Sequence, residues 1–150
     1  MPGGPGRVHA RIIGAVVAAA ALAGAACTVP AVAPPRSLER PLAGPGDAAR
    51  GRALMLARDP ANCVLCHAIP EPALPVAGNL GPPLAGIGRR LTAGEIRLRI
   101  VDSTQLNPVS IMPRYFTADG LVGVAPEYRG RAILDAQQIE DLVAYLGTLQ

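Results

Sequence analysis

The sequence predicts an all-α fold of short helices joined by long loops. Three observations carry that prediction. Strand signals are absent along the whole chain. Two stretches, beginning at Thr92 and Asp135, carry complete helix-start signatures. Between the helical segments, residues 68–88 and 102–130 are dense in glycine and proline and show almost no regular period. A domain of about a hundred residues buries a modest core, and long structureless loops need something to pack against. A large apolar prosthetic group would supply the missing interior.

Taken in chain order, the first element is a leader. Arg7 and Arg11 precede the apolar run Ile12–Ala26, "IIGAVVAAAALAGAA", which is too short to span a bilayer comfortably. Residues 1–26 are expected to be a signal peptide, with Ala23-Gly24-Ala25 as a cleavage zone. A retained membrane anchor or a buried alanine-rich helix would use the same residues. The basic flank and the proline-rich stretch that follows argue for export to the periplasm. Cys27 leaves a further alternative: "LAGAAC" resembles a lipoprotein signal, although Gly24 stands where leucine is usual, and Cys27 would then carry a lipid anchor. Residues 27–45 are expected to be an extended linker, since 28–45 hold five prolines and no periodicity. The folded domain is expected over 46–150.

Within that domain, Asp47 is a plausible N-cap for a helix running "AARGRALMLAR" to about Arg58, with Leu54 and Met55 among its apolar positions. In "LTAGEIRLRIV", Thr92 and Glu95 make a capping box, and Leu91 and Ile96 occupy the hydrophobic-staple positions. "LDAQQIEDLVAYLGTL" repeats both devices with Asp135 and Gln138, then Leu134 and Ile139. Ile139, Leu142, Val143 and Leu146 follow the i, i+3, i+4, i+7 pattern and form one apolar face.

The net charge of +3 and pI near 9.1 invite a nucleic-acid reading. Charge distribution excludes it: without Arg7 and Arg11, 14 − 2 leaves 12 arginines against 11 acids, with no basic stripe and few aromatics to stack on bases.

The chemistry is concentrated in "ANCVLCHAIP", residues 61–70, where Cys63 and Cys66 are followed at once by His67. A redox dithiol would normally follow a strand, and none precedes Cys63. A zinc site needs four ligands; the chain after the leader offers Cys27, Cys63, Cys66 and His67, and adjacent Cys66 and His67 are poorly placed to share one tetrahedral ion. Covalent haem uses every residue. The two thiols add across the haem vinyl groups from about one helical turn apart, and the next residue lies under the iron as an imidazole ligand.

A haem then needs a second axial ligand, or leaves that position open. Met112, Met55 and Cys27 are the candidates, because the chain after the leader holds no second histidine and no lysine. Met55 falls on the packing face of the first helix. Met112 lies in "NPVSIMPRYF", a loop stiffened by Pro108 and Pro113, and is the favoured ligand. A histidine ligand also needs its other ring nitrogen held by an acceptor. The rigid "GPPLAGIG" turn, residues 81–88, offers the Pro82 carbonyl for that purpose.

Gly46-Asp47, Gly51, Met55, Cys63-X-X-Cys66-His67, Gly81-Pro82-X-Leu84, Met112-Pro113 and "DLVAYL" occur in the order of the class I cytochrome c family, and residues 46–150 resemble it. The resemblance implies a class I cytochrome c fold around one covalent haem c. It places the crossing of first and last helices at Gly51 and Met55 against Leu142 and Tyr145, the histidine's acceptor at Pro82, and a propionate partner at Arg89. "LNPVSIMPRYF" and the long segment "GLVGVAPEYRGRAILDAQQIEDLVAYLGTL" are similar, more narrowly, to the SoxX family, the monohaem cytochromes of sulfur oxidation. That resemblance implies a periplasmic heterodimer with a dihaem SoxA-like cytochrome. The heterodimer joins thiosulfate oxidatively to a cysteine of a SoxY-type carrier, with the active site on the SoxA-like partner. This chain would then accept and relay electrons to a downstream acceptor and hold no catalytic residues of its own. The competing readings are a free-standing electron shuttle to a terminal oxidase and a non-haem zinc or dithiol module.

Overall fold

The computed structural model describes residues 35–72 and 78–150, together with Met1 and Gly3. The expected signal peptide and Cys27 lie outside the described residues. The chain divides into two units, Met1–Val32 and Ala33–Gln150, and the second contains the fold described here. Among the described residues there is no strand, and no helix is long and apolar enough to cross a membrane.

The described residues form four α-helices: α1, Ala48–Leu56; α2, Ile87–Arg90; α3, Ala93–Asp102; and α4, Ala136–Thr148. Short 3-10 turns occupy Cys63–Leu65, Ser103–Gln105 and Pro126–Tyr128. Asp47 caps α1 by accepting from the Arg50 amide. This helix ends at Leu56, short of Arg58, because Ala57 turns extended while its N–H returns to the Ala53 and Leu54 carbonyls. Both capping boxes are formed in full, Thr92 with Glu95 and Asp135 with Gln138. The one-turn helix α2 has no such signature in sequence. It follows Gly86, whose φ of 68° suits glycine, and its Gly88 amide donates to the Leu149 carbonyl at 2.9 Å, docking it on the end of α4.

Close approach of α1 to α4 organises the domain. A Cβ on Gly51 would collide with the Asp141 carbonyl and lie 2.9 Å from the Tyr145 Cβ, so only glycine lets the backbones meet there. Asp141 reinforces the crossing: its carboxylate accepts from the Asp47 amide at 2.8 Å and from Arg50 Nε at 2.7 Å. Hydrogen bonding from Arg50 holds the Asp141 carboxyl down at about 2. The apolar face of α4 is buried, with Ile139 at 0% and Leu142 at 1% exposure, and packs with Met55, Ile96, Ile100, Tyr115 and Leu134 in one core. Full burial of each such side chain contributes on the order of 1.5–3 kcal/mol.

The linker expected over 27–45 needs correction for its second half. From Ser37 the chain is docked on the helices. The Leu38 amide donates to the Gly94 carbonyl at 2.9 Å, and Leu42 packs on the core. A buried ion pair, Arg97 Nε to Glu140 Oε1 at 2.7 Å, sits beneath this strap and spends its remaining valences on the strap's backbone. Arg97 donates to the Leu38 carbonyl at 2.6 Å, and Glu140 accepts from the Leu42 amide at 2.9 Å. Proline content alone reads as an open arm; the partners that capture it lie about 50 to 100 residues away in sequence.

Candidate haem site

Asn62 enters the left-handed region at φ 49° and starts the 3-10 turn Cys63–Leu65. The amides of Cys66 and His67 both donate to the Cys63 carbonyl, at 3.2 and 3.0 Å. One tight turn therefore carries both thiols and the imidazole. Both cysteines are free, and burial pushes the Cys63 thiol up to about 11. Reactive dithiols work through lowered thiol pKa values, so this is the opposite of a redox-pair environment. Among the described residues no group of three or more His, Cys, Asp or Glu side chains is placed to hold a metal ion, which removes the zinc arrangement from this part of the chain.

Above the turn lies a cavity of about 580 Å³. Cys63, Cys66, His67 and Met112 all line it, with apolar walls from Leu84, Ile96, Ile100, Leu134 and Leu142. The size falls within the roughly 300–1,000 Å³ of small-molecule and cofactor pockets. Tyr115 closes one side, 6% exposed, its hydroxyl donating to the Ala61 carbonyl at 3.0 Å and tying the loop after Met112 to the cysteine turn. Met55 also touches the wall, but from within α1 and as part of the core, 3% exposed.

His67 Nδ1 lies 2.7 Å from the Pro82 carbonyl. A carbonyl only accepts, so Nδ1 carries a proton, and in the neutral ring Nε2 is then the bare nitrogen that a metal ligand requires. Two glycines make room for this. A Cβ on Gly81 would stand 2.5 Å from His67 Cε1, and one on Gly78 would stand 2.5 Å from the Cys66 carbonyl carbon. The Gly81 amide closes the loop by donating to the Cys66 carbonyl at 2.8 Å.

Arg89 is exposed on α2 and is not among the residues that line the cavity. Arg99 is among them, as the one arginine on the wall. The reason is helical spacing: Ile96, Arg99, Ile100 and Ser103 share the face of α3 and its extension that looks onto the cavity. Arg99 and Ser103 are functional candidates that sequence reasoning missed. Their signal was polar residues placed at i+3 and i+7 on an otherwise apolar stripe. Asn62, Gly78 and Ser110 had no comparable local signature.

The residues fit a covalent haem. Two thiols stand one turn apart, an imidazole has a free Nε2, a thioether shares the cavity, the walls are apolar, and a cation is available for a propionate. When bound, such a haem supplies reversible one-electron exchange at its iron.

The comparisons agree. The family model described as Cytochrome c matches residues 48–150. No curated protein matches. Among solved structures, the crystal structure of SoxXA from P. pantotrophus is similar over 76% of this chain and 90% of that one, at 35% identity and a TM-score of 0.69. The chain belongs to the cytochrome c family and, within it, is a SoxX-like cytochrome built to carry one covalently bound haem c.

Proposed function

We propose that this chain is the monohaem electron-transfer subunit of a periplasmic SoxXA-type complex. Its partner is a dihaem SoxA-like cytochrome that joins thiosulfate to a cysteine of a SoxY-type carrier. Residues 1–26 direct export, and Cys27 is the position a lipid anchor would use. Cys63 and Cys66 hold the haem through thioethers, and His67 and Met112 are its axial ligands. Pro82 fixes the His67 tautomer, and Arg99 faces a propionate in the place first expected for Arg89. The observation that carries this reading is the 2.7 Å contact of His67 Nδ1 with the Pro82 carbonyl. A core histidine satisfied on both nitrogens would have no free Nε2 to offer.

Among the described residues, no aspartate or glutamate lines the cavity. With both axial positions filled by side chains, the chain exchanges electrons rather than binding substrate. The exposed lining of its cavity is mostly apolar: beside Asn107 stand Leu80, Val109 and Ile111, which are 65%, 83% and 72% exposed. That rim suits a partner protein bringing a second redox centre close. Purification from thiosulfate-grown cells, with a pyridine haemochrome assay and mass spectrometry, tests the assignment. One haem per chain, co-purifying with a dihaem cytochrome, is expected. A chain without covalent haem, or one that purifies with no dihaem partner, refutes it.

A further inference from the structure

Before Tyr115, the segment that presents Met112 is largely exposed: Pro108, Val109, Ile111 and Pro113 are all open to solvent, Val109 and Ile111 at the cavity rim. What holds the segment is polar. The Met112 amide donates to Ser110 Oγ at 3.3 Å, Ser110 Oγ and Ser103 Oγ are 2.8 Å apart, and Ser103 Oγ donates to the Met112 carbonyl at 3.3 Å. Hydroxyl bookkeeping fixes the directions. Ser103 has one proton and gives it to the carbonyl, so Ser110 must give its own to Ser103, which leaves Ser110 as acceptor for the amide. The result is a closed ring, from Met112 N–H through Ser110 and Ser103 back to Met112 C=O, in which every donor has an acceptor. Ser103 is the fixed end. It is 8% exposed, sits in the turn that continues α3, and its carbonyl accepts from the Leu106 and Asn107 amides at 3.1 Å each.

We propose that Ser103 and Ser110 are positioning residues for the axial thioether, clamping both backbone polar groups of Met112 so that its sulfur stays at the iron. The clamp rests on Met112 being the ligand. It adds that the strength of the sixth bond is tuned by two hydroxyls outside the coordination sphere, which hold Met112 itself while Tyr115 anchors the loop three residues on.

The test uses the exported holoprotein, with haem attached through Cys63 and Cys66 in every variant. Two readouts are followed in the ferric state: the weak far-red sulfur-to-iron band, and the affinity for added imidazole, which competes with the sulfur. Ser110→Ala removes two hydrogen bonds and leaves the Met112 amide without its acceptor. At the roughly 1 kcal/mol typical of each bond, imidazole affinity should rise about thirtyfold, and the band should bleach at lower temperature. Ser103→Ala should act in the same direction. Ser110→Thr retains the hydroxyl and should restore the wild-type affinity. If the wild type shows no far-red band, the ligand assignment and the clamp both fall. If the band is present but Ser110→Ala and Ser103→Ala bind imidazole as wild type does, the clamp alone falls. It also falls if Ser110→Thr is as loose as Ser110→Ala, since the hydroxyl is then not the agent.

Discussion

A methyl group at position 81 would occupy space that the His67 ring already fills. In Gly81→Ala the new carbon would lie 2.5 Å from Cε1, 2.8 Å from Nδ1 and 2.9 Å from Nε2. Ordinary contacts between carbon atoms are about 3.5–4.0 Å, so ring or loop must retreat by about 1 Å. The ring cannot do so freely, because its position is fixed by the 2.7 Å bond to the Pro82 carbonyl. Overpacking of this kind costs about 1–3 kcal/mol, and loss of one hydrogen bond adds about 1 kcal/mol. For a domain near a hundred residues, that sum lowers the midpoint of thermal unfolding by on the order of 10 °C. Melting of the ferric holoprotein, followed at the haem absorbance and by circular dichroism, measures it. The haem bands should also change, since the proximal imidazole is displaced. Pro82→Ala keeps a carbonyl at the acceptor position and should perturb both readouts much less. A Gly81→Ala protein that melts within about 2 °C of wild type, with unchanged haem bands, would refute the packing argument.

Met112→Ala should abolish the far-red band and lower the midpoint potential while leaving the haem attached; a surviving band would assign the sixth ligand elsewhere. Glu140→Gln and Arg97→Met each strand one charge of a buried pair and should cost about 3–5 kcal/mol in denaturant unfolding, whereas the double variant should cost less than the sum. Burial opposes ionisation of Glu140, yet hydrogen bonds from Arg97 and the Leu42 amide keep its carboxyl below the usual range, so the pair is formed at neutral pH. Asp141, lowered to about 2 by Arg50, contributes stability that is fully present above the ordinary carboxylate range and is lost as pH falls toward 2. Because Arg50 is 58% exposed, that contribution is on the order of 1 kcal/mol, and Asp141→Asn should flatten the acid limb of the stability profile by about that amount.

The parts of the molecule written in local code were legible in the sequence. Capping boxes need residues only three apart, and both are formed at Thr92 and Asp135. Cys63, Cys66 and His67 are contiguous enough that their joint geometry follows from one turn. The strap was not legible. Its anchors, Arg97 and Glu140, pair across 43 residues and then reach back to Leu38 and Leu42, and no pattern within the strap marks it as bound. The position of Arg89 was illegible for a related reason. The choice between Arg89 and Arg99 depends on which helix faces the cavity, and α2 turns its arginines outward while α3 turns Arg99 in. The serine ring around Met112 combines both difficulties, since its members come from a turn and a loop and signal nothing alone.

The distribution of charge bears on whether this cytochrome serves one partner or many. Shuttles that meet successive partners rely on charged patches, which steer encounter and let the complex part again. Here the ion pairs of the described residues, Arg50 with Asp47 and Asp141, Arg52–Glu71 and Arg97–Glu140, join α1 with its cap, α3, α4 and the loop at Glu71, and none of these residues lines the cavity. At the mouth stand Leu80, Val109 and Ile111, with Leu65 exposed beside Cys66. Single exposed apolar residues are unremarkable on any protein, but three on one cavity rim are a patch, and an apolar patch left in water invites association. Lasting interfaces are the ones enriched in such residues and depleted of charge at their centre. Such an edge suits the lasting partner proposed above. Replacing Val109 and Ile111 by serine should weaken that association while leaving the far-red band in place; loss of the band with the partner still bound would mean these side chains serve the Met112 loop instead.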